Sequence, residues 1–218
     1  MFHAMATNRG RRNRASKGQR TRERIVAAAA PLFNQRGFAG ASMADLMAAT
    51  GLEKGGIYRH FESKGELVAA AFDHAATLQR ARIEDFVETK RGAVARLSAL
   101  GEALASLVED PVLPGGCSLL NTAVESDEGA GSPYRELRKR TRAAMRHLIE
   151  YAREIIAAGV DEGAFPATVD PLAEAELFVA TMEGALMLSK LYDDPHYATE
   201  AATRVARQAV ALARSAPR

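Results

Sequence analysis

The chain has 218 residues, 47% of them hydrophobic and 26% charged, with a net charge of +2 and one cysteine, Cys117. That length holds one domain or a small domain fused to a larger one, with room for a real core. No apolar run approaches the roughly eighteen residues of a membrane helix, no secretory apolar segment opens the sequence, and a lone thiol excludes an internal disulfide framework. The expectation is a cytoplasmic protein with no membrane attachment.

The near-neutral total hides a lopsided start. Arg9, Arg11, Arg12, Arg14, Lys17, Arg20, Arg22 and Arg24 face Glu23 alone. Residues 1–19 read as a disordered basic arm, and such a charge density neutralises nucleic-acid phosphates. An organelle transit peptide and a membrane-surface role are competing readings.

From there the pattern is helical. Ile25, Ala29, Leu32 and Phe33 make one amphipathic stripe that Gly37 ends, with Pro31 expected to kink it. Ser42 and Asp45 signal a capped short helix over 43–49, and a second short helix follows over about 53–60. Ser63 with Glu66 opens a long helix whose stripe is Leu67, Ala71, Ala75 and Leu78. Ser132-Pro133, Asp170-Pro171 and Asp194-Pro195 each pair a capping side chain with a proline at a helix start. The first of these leads into Leu137, Thr141, Met145, Leu148, Ala152 and Ile155. The second opens a run that is apolar over more than one face, which implies burial on two sides. The third opens a last helix with Val205, Ala209 and Leu212 inward. No strand alternation occurs. The fold class is all-α, with about nine helices.

Two short helices joined by a tight turn form a helix-turn-helix. Ile57 and Phe61, four residues apart, face inward against Leu46, which turns Lys54, Gly55, Tyr58 and Arg59 outward. A recognition helix presents such a face to the major groove. Gly55 and Gly56 cost about 1 kcal/mol each in a helix, and their bare backbone suits a close approach of DNA. Lys54 matches a phosphate, and Arg59 matches guanine O6 and N7.

The stretch "SMADLMAATGLEKGGIYRHFESKGEL" resembles the helix-turn-helix of the TetR (tetracycline repressor-like) regulators, over about residues 21–67. Gly55, Tyr58, His60, Phe61 and Lys64 carry the likeness. The resemblance implies phosphate contacts from Ser42, Lys54, Tyr58, His60 and Lys64, and base reading by the recognition helix. Packing for Tyr58, a helix-end role for His60 and a solvated charge for Arg59 are the bland alternatives. Glu53 and Gly56 depart from the family's usual Ser or Thr. Beyond residue 67 the likeness is one of architecture. It implies a helical ligand-binding and dimerisation domain over 68–218, with the last two helices packed against a second copy. A homodimer would bind double-stranded DNA at a palindromic operator and, as a repressor, release it when a partly apolar small molecule binds.

The segment "GGCSLLNTAVE" resembles one beside the ligand cavity in some of these regulators. Phe86, Cys117, Leu120, Met145, Leu148, Phe178 and Met182 combine apolar bulk with the central helices and are lining candidates, with ordinary core as the alternative. Cys117 is either an inert small hydrophobe or a thiol switch at a helix start. No catalytic signature, metal-ligand cluster or cofactor-binding motif occurs, and the five histidines are scattered. An enzyme is not expected.

Overall fold

The computed structural model describes residues 17–126 and 134–215. Among these the chain forms nine α-helices and no strand. They are α1 (Lys17–Gly40), α2 (Met43–Thr50), α3 (Lys54–Tyr58), α4 (Lys64–Glu88), α5 (Ala93–Glu109), α6 (Ser118–Glu125), α7 (Arg135–Asp161), α8 (Pro171–Tyr192) and α9 (His196–Arg214). Residues 1–16 of the expected arm lie outside the described residues, while Lys17 already begins α1.

Local chemistry accounts for most of the boundaries. At α2 the Ser42 hydroxyl accepts from the Asp45 amide at 3.1 Å, and the Asp45 carboxylate accepts from the Ser42 amide at 2.9 Å. That reciprocal box satisfies two otherwise orphaned donors. Gly51 ends α2 in the left-handed region at φ 67°, its amide donating to Met47. Ser63 caps α4 through the Glu66 amide, and Asp170 caps α8 through the amides of Leu172 and Ala173. At α9 the helix starts one residue later than expected, at His196, whose amide donates to Asp194 at 2.9 Å. The Ser132-Pro133 start lies outside the described residues. Within α1 the non-helical dihedrals are at Gly37 (φ 75°, ψ 172°), not at Pro31.

Two cores share α4 as a spine. The first gathers Ile25, Ala29 and Phe33 of α1, Leu46, Ile57, Phe61, and Leu67 to Ala75 of α4, with Leu113 and Leu137 added from later in the chain. The second runs from Ile83 and Val87 of α4 through α5, α7, α8 and α9. The boundary expected at residue 67/68 therefore falls inside a continuous, shared helix. Leu46, Ile57 and Phe61 are fully buried together, each contributing about 1.5–3 kcal/mol. This is the packing that orients α3.

The second core is close-packed around Gly159 of α7. A Cβ there would lie 2.4 Å from the Phe165 ring and 2.6 Å from the Ala93 Cβ. Gly159→Ala is expected to destabilise the fold by about 1–3 kcal/mol through overpacking, although alanine is the better helix former. A urea midpoint unchanged or raised in that variant would refute the close contact.

Candidate nucleic-acid interface and inner cavity

The short α3 places Lys54, Gly55, Tyr58 and Arg59 at the surface, with Ile57 beneath them. Gly56 and His60 are half-buried. A Cβ on Gly55 would meet nothing within 4 Å, and one on Gly56 would meet only the Leu52 side chain at an ordinary 3.5 Å. Neither glycine has a positive φ. Nothing among the described residues requires bare backbone at either position. Glu53 precedes α3 without any side-chain capping bond, as its residue type predicts.

Two of the expected phosphate contacts have internal work. The Lys64 ammonium donates to the carbonyls of Phe38 and Ala41, both at 2.6 Å. It thereby clamps the end of α1 to the start of α4, a cation on carbonyls as the helix dipole favours, and keeps one N–H free of these two bonds. The Ser42 hydroxyl donates to Asp45 at 2.6 Å while accepting the Asp45 amide. These hydrogen bonds, with Arg36 beside it, hold the Asp45 carboxyl below its ordinary range. The Ser42–Asp45 pair is legible over three residues, whereas the Lys64 clamp is not, because its partners lie 26 and 23 residues away. Arg22 stacks over the Phe61 ring at 4.6 Å and pairs with Glu66 at 3.1 Å, tying α1 to the turn before α4.

An inner cavity of about 400 Å³ lies among α4, α5, α7, α8 and the start of α6. Of the expected lining residues it takes Cys117 and Leu148. The others are placed elsewhere. Phe86 points out of the bundle, 40% exposed, with the Lys90 ammonium 5.5 Å from its ring. Phe178 lines a separate small crevice with Leu97, Ile156 and Phe165. Met182 is fully enclosed in core, and Leu120 and Met145 pack half-buried against that core. Apolar bulk marks a helix interior but not which interior face borders a void.

The most consequential lining residue is polar. Glu183 on α8 is 8% exposed, and its Oε1 accepts from the Cys117 thiol at 3.3 Å while Oε2 has no partner among the described residues. Burial pushes its carboxyl from 4.5 up to about 7, with the thiol contact opposing. A sequence signal existed: Glu183 is the one charged residue between Leu177 and Leu188. Cys117 is pushed up as well, by burial first and then by the Glu183 charge, and its contacts with the α6 amides do not reverse this. Of the two readings of Cys117, burial favours the inert small hydrophobe over a thiol activated by a helix start, and the thiol is neutral near pH 7.

The cavity wall is hydrogen-bonded to α1. Gln79 of α4, a lining residue, donates to the Gly116 carbonyl at 2.8 Å and accepts from Ser118 amide and hydroxyl. Asn34 of α1 donates to the carbonyls of Pro114 and Gly116 at 2.9 and 3.0 Å. Asn121 donates to the Asn34 and Gly115 carbonyls, and Lys190 of α8 donates to Asn121. Gly115, at φ 106°, presses on α1 so closely that a Cβ would sit 2.6 Å from the Asn34 oxygen. On the other side Tyr134, just before α7, packs on Phe38 with ring centroids 5.5 Å apart.

Residues 25–71 match the family model for bacterial regulatory proteins of the tetR family, and residues 93–205 match that for the tetracyclin repressor-like C-terminal domain. The chain belongs to the TetR family. A TetR transcriptional regulator from Chloroflexus aurantiacus is 44% identical, with a TM-score of 0.82 over 88% of this chain and 94% of that one. The HTH-type transcriptional regulator TtgR of Pseudomonas putida is 25% identical over 80% of this chain and 82% of its own. CymR of Pseudomonas putida, also an HTH-type transcriptional regulator, is 28% identical over 46% of either chain. As a TetR-family member the protein is a DNA-binding transcriptional regulator and not an enzyme. Among the described residues no helix is long and apolar enough to cross a membrane. No group of three or more metal-binding side chains is found there either.

Proposed function

We propose that the protein is a cytoplasmic homodimeric repressor that leaves a palindromic operator when a small molecule fills the inner cavity. The observation that carries this reading is the continuous set of hydrogen bonds from the cavity wall at Gln79 to Asn34 of α1. A ligand that shifts the segment around Gly116 moves a partner of the helix that holds the reading unit. Release requires that ligand bind the DNA-free conformation better, and a coupling of about 1–3 kcal/mol changes operator affinity roughly 5–150-fold.

Dimerisation is supported by α8. Leu177, Ala180, Gly184, Met187 and Leu191 recur at the three- and four-residue spacing of a helix–helix seam. Leu177 and Leu191 are 55% and 69% exposed, and a Cβ on Gly184 would meet nothing within 4 Å. A two-fold pair buries this stripe against its own copy and repeats the reading unit on a palindrome.

The contacts proposed for DNA are those of Ser42, Lys54, Gly55, Gly56, Tyr58, Arg59, His60 and Lys64. The open space at Gly55 supports the close approach, since no neighbour among the described residues explains the missing side chain. Lys54→Ala is expected to weaken binding to all duplexes alike and to lower the salt slope by about one unit. Arg59→Ala should relax selectivity at one base pair by about 1–3 kcal/mol. Binding of duplex libraries at several salt concentrations reads both, and an Arg59→Ala profile with unchanged base preference would refute base reading. Lys64→Ala should lower thermal stability as well, because it unclamps α1.

A further inference from the structure

We propose that the cavity's ligand is an amphiphilic amine, its protonated nitrogen donating to the unpartnered Oε2 of Glu183 and its apolar body filling the space along α4, α5 and α7. The assignment rests on the reading of the cavity as an effector site and adds the effector's chemistry. The walls are apolar, formed chiefly by Phe72, Ile83, Leu104, Leu107, Leu119 and Leu148. A volume of about 400 Å³ suits a small organic molecule.

The charges on these walls are already matched among themselves. Arg140 of α7 pairs with Asp73 of α4. Glu84 of α4 takes both Arg80 at 3.7 Å and His147 of α7 at 3.5 Å. Each of these side chains is at least one-third exposed, so they form a self-neutralised rim. The α5 wall contributes only leucines. Lys190 of α8 is engaged by Asn121 and is absent from the lining. What faces Glu183 within hydrogen-bonding distance is the neutral thiol of Cys117, bonded to the other oxygen.

Glu183 is therefore a buried acid with one acceptor unfilled, while the lining cations Arg80, Arg140 and His147 pair with Glu84 and Asp73 instead. Buried polar groups in this condition call for a partner, and a charge-assisted bond is the strongest a carboxylate forms. Because burial holds the group near pH 7, the approach of a cation needs little to ionise it. An anionic ligand would set its own charge against Glu183. A neutral alcohol would fill the acceptor without the charge, and it serves as the control.

The test uses the full chain and three probes of equal length: 4-phenylbutylamine, 4-phenylbutan-1-ol and 4-phenylbutyrate. Calorimetric titration at about pH 8 should rank the amine about tenfold above the alcohol, with the acid weakest. Glu183→Gln should bring the amine down to the alcohol while leaving alcohol binding unchanged. Amine affinity should also fall by up to about tenfold per pH unit below the carboxyl's midpoint, as the partner is protonated. The proposal is overturned if the alcohol or the acid binds wild-type protein as well as the amine does. It is overturned equally if none of the three binds, or if Glu183→Gln keeps the amine's advantage. Operator affinity is measured separately with the amine saturating. Selective amine binding that leaves operator affinity unchanged would support this assignment and overturn ligand-driven release.

Discussion

Glutamates at both Leu177 and Leu191 should break the homodimer proposed through α8 and leave a monomer. Both side chains stand exposed on α8 in the single chain, so the substitutions touch little within it and should change its own stability by no more than about 0.5 kcal/mol. In a two-fold interface each introduced carboxylate appears twice and meets like charge or apolar surface. Sedimentation velocity reads the mass directly. Operator affinity should fall about 10²–10⁴-fold, because a monomer loses the second, effectively intramolecular, half-site contact. A double variant that remains dimeric with unchanged operator affinity would place the subunit interface elsewhere.

The second large effect is at Glu183, and its sign runs against habit. The carboxyl is raised from 4.5 to about 7 on folding, mainly by burial. Between those values the folded protein holds a proton that the unfolded chain has lost, so stability falls as pH rises across that window. Above about pH 7 the full penalty is present, about 3 kcal/mol for a shift of this size. Glu183→Gln removes the charge and keeps an oxygen to accept from Cys117. The variant should be more stable than wild type by about 3 kcal/mol at pH 8, and the gap should close near pH 4.5. Urea denaturation across pH 4.5–8 tests this. Parallel pH profiles for the two proteins would show that Glu183 is ionised in the fold without penalty. The same substitution is expected to cost amine selectivity, a buried charge kept for binding at the expense of stability.

Most of the first core was legible in the residues. The caps at Ser42, Ser63 and Asp170 act over two or three residues, so their chemistry can be read in one dimension. The inward pair Ile57 and Phe61 follows from helical period alone, and both are buried. The all-helical class and the helix-turn-helix rest on the same short-range rules.

What tertiary structure decided are meetings of residues remote in the chain. Cys117 and Glu183 are 66 positions apart, and Asn34 reaches Gly116 across 82. No local period specifies such a pairing. Apolar composition set Phe86, Phe178 and Met182 beside Leu148 as equals, yet only Leu148 borders the cavity. Which face of a helix meets a void depends on how its neighbours cross it. Lys64 followed the same logic: its residue type announced a charge, and the fold engages two of its hydrogen bonds at the end of α1. Sequence by itself determined the all-helical class, most of the helix starts and the exposed face of α3, but not the bounds of α5. Packing alone decided that a lone acid in an apolar run would end beside a cavity, because burial and partner are properties of three-dimensional neighbours.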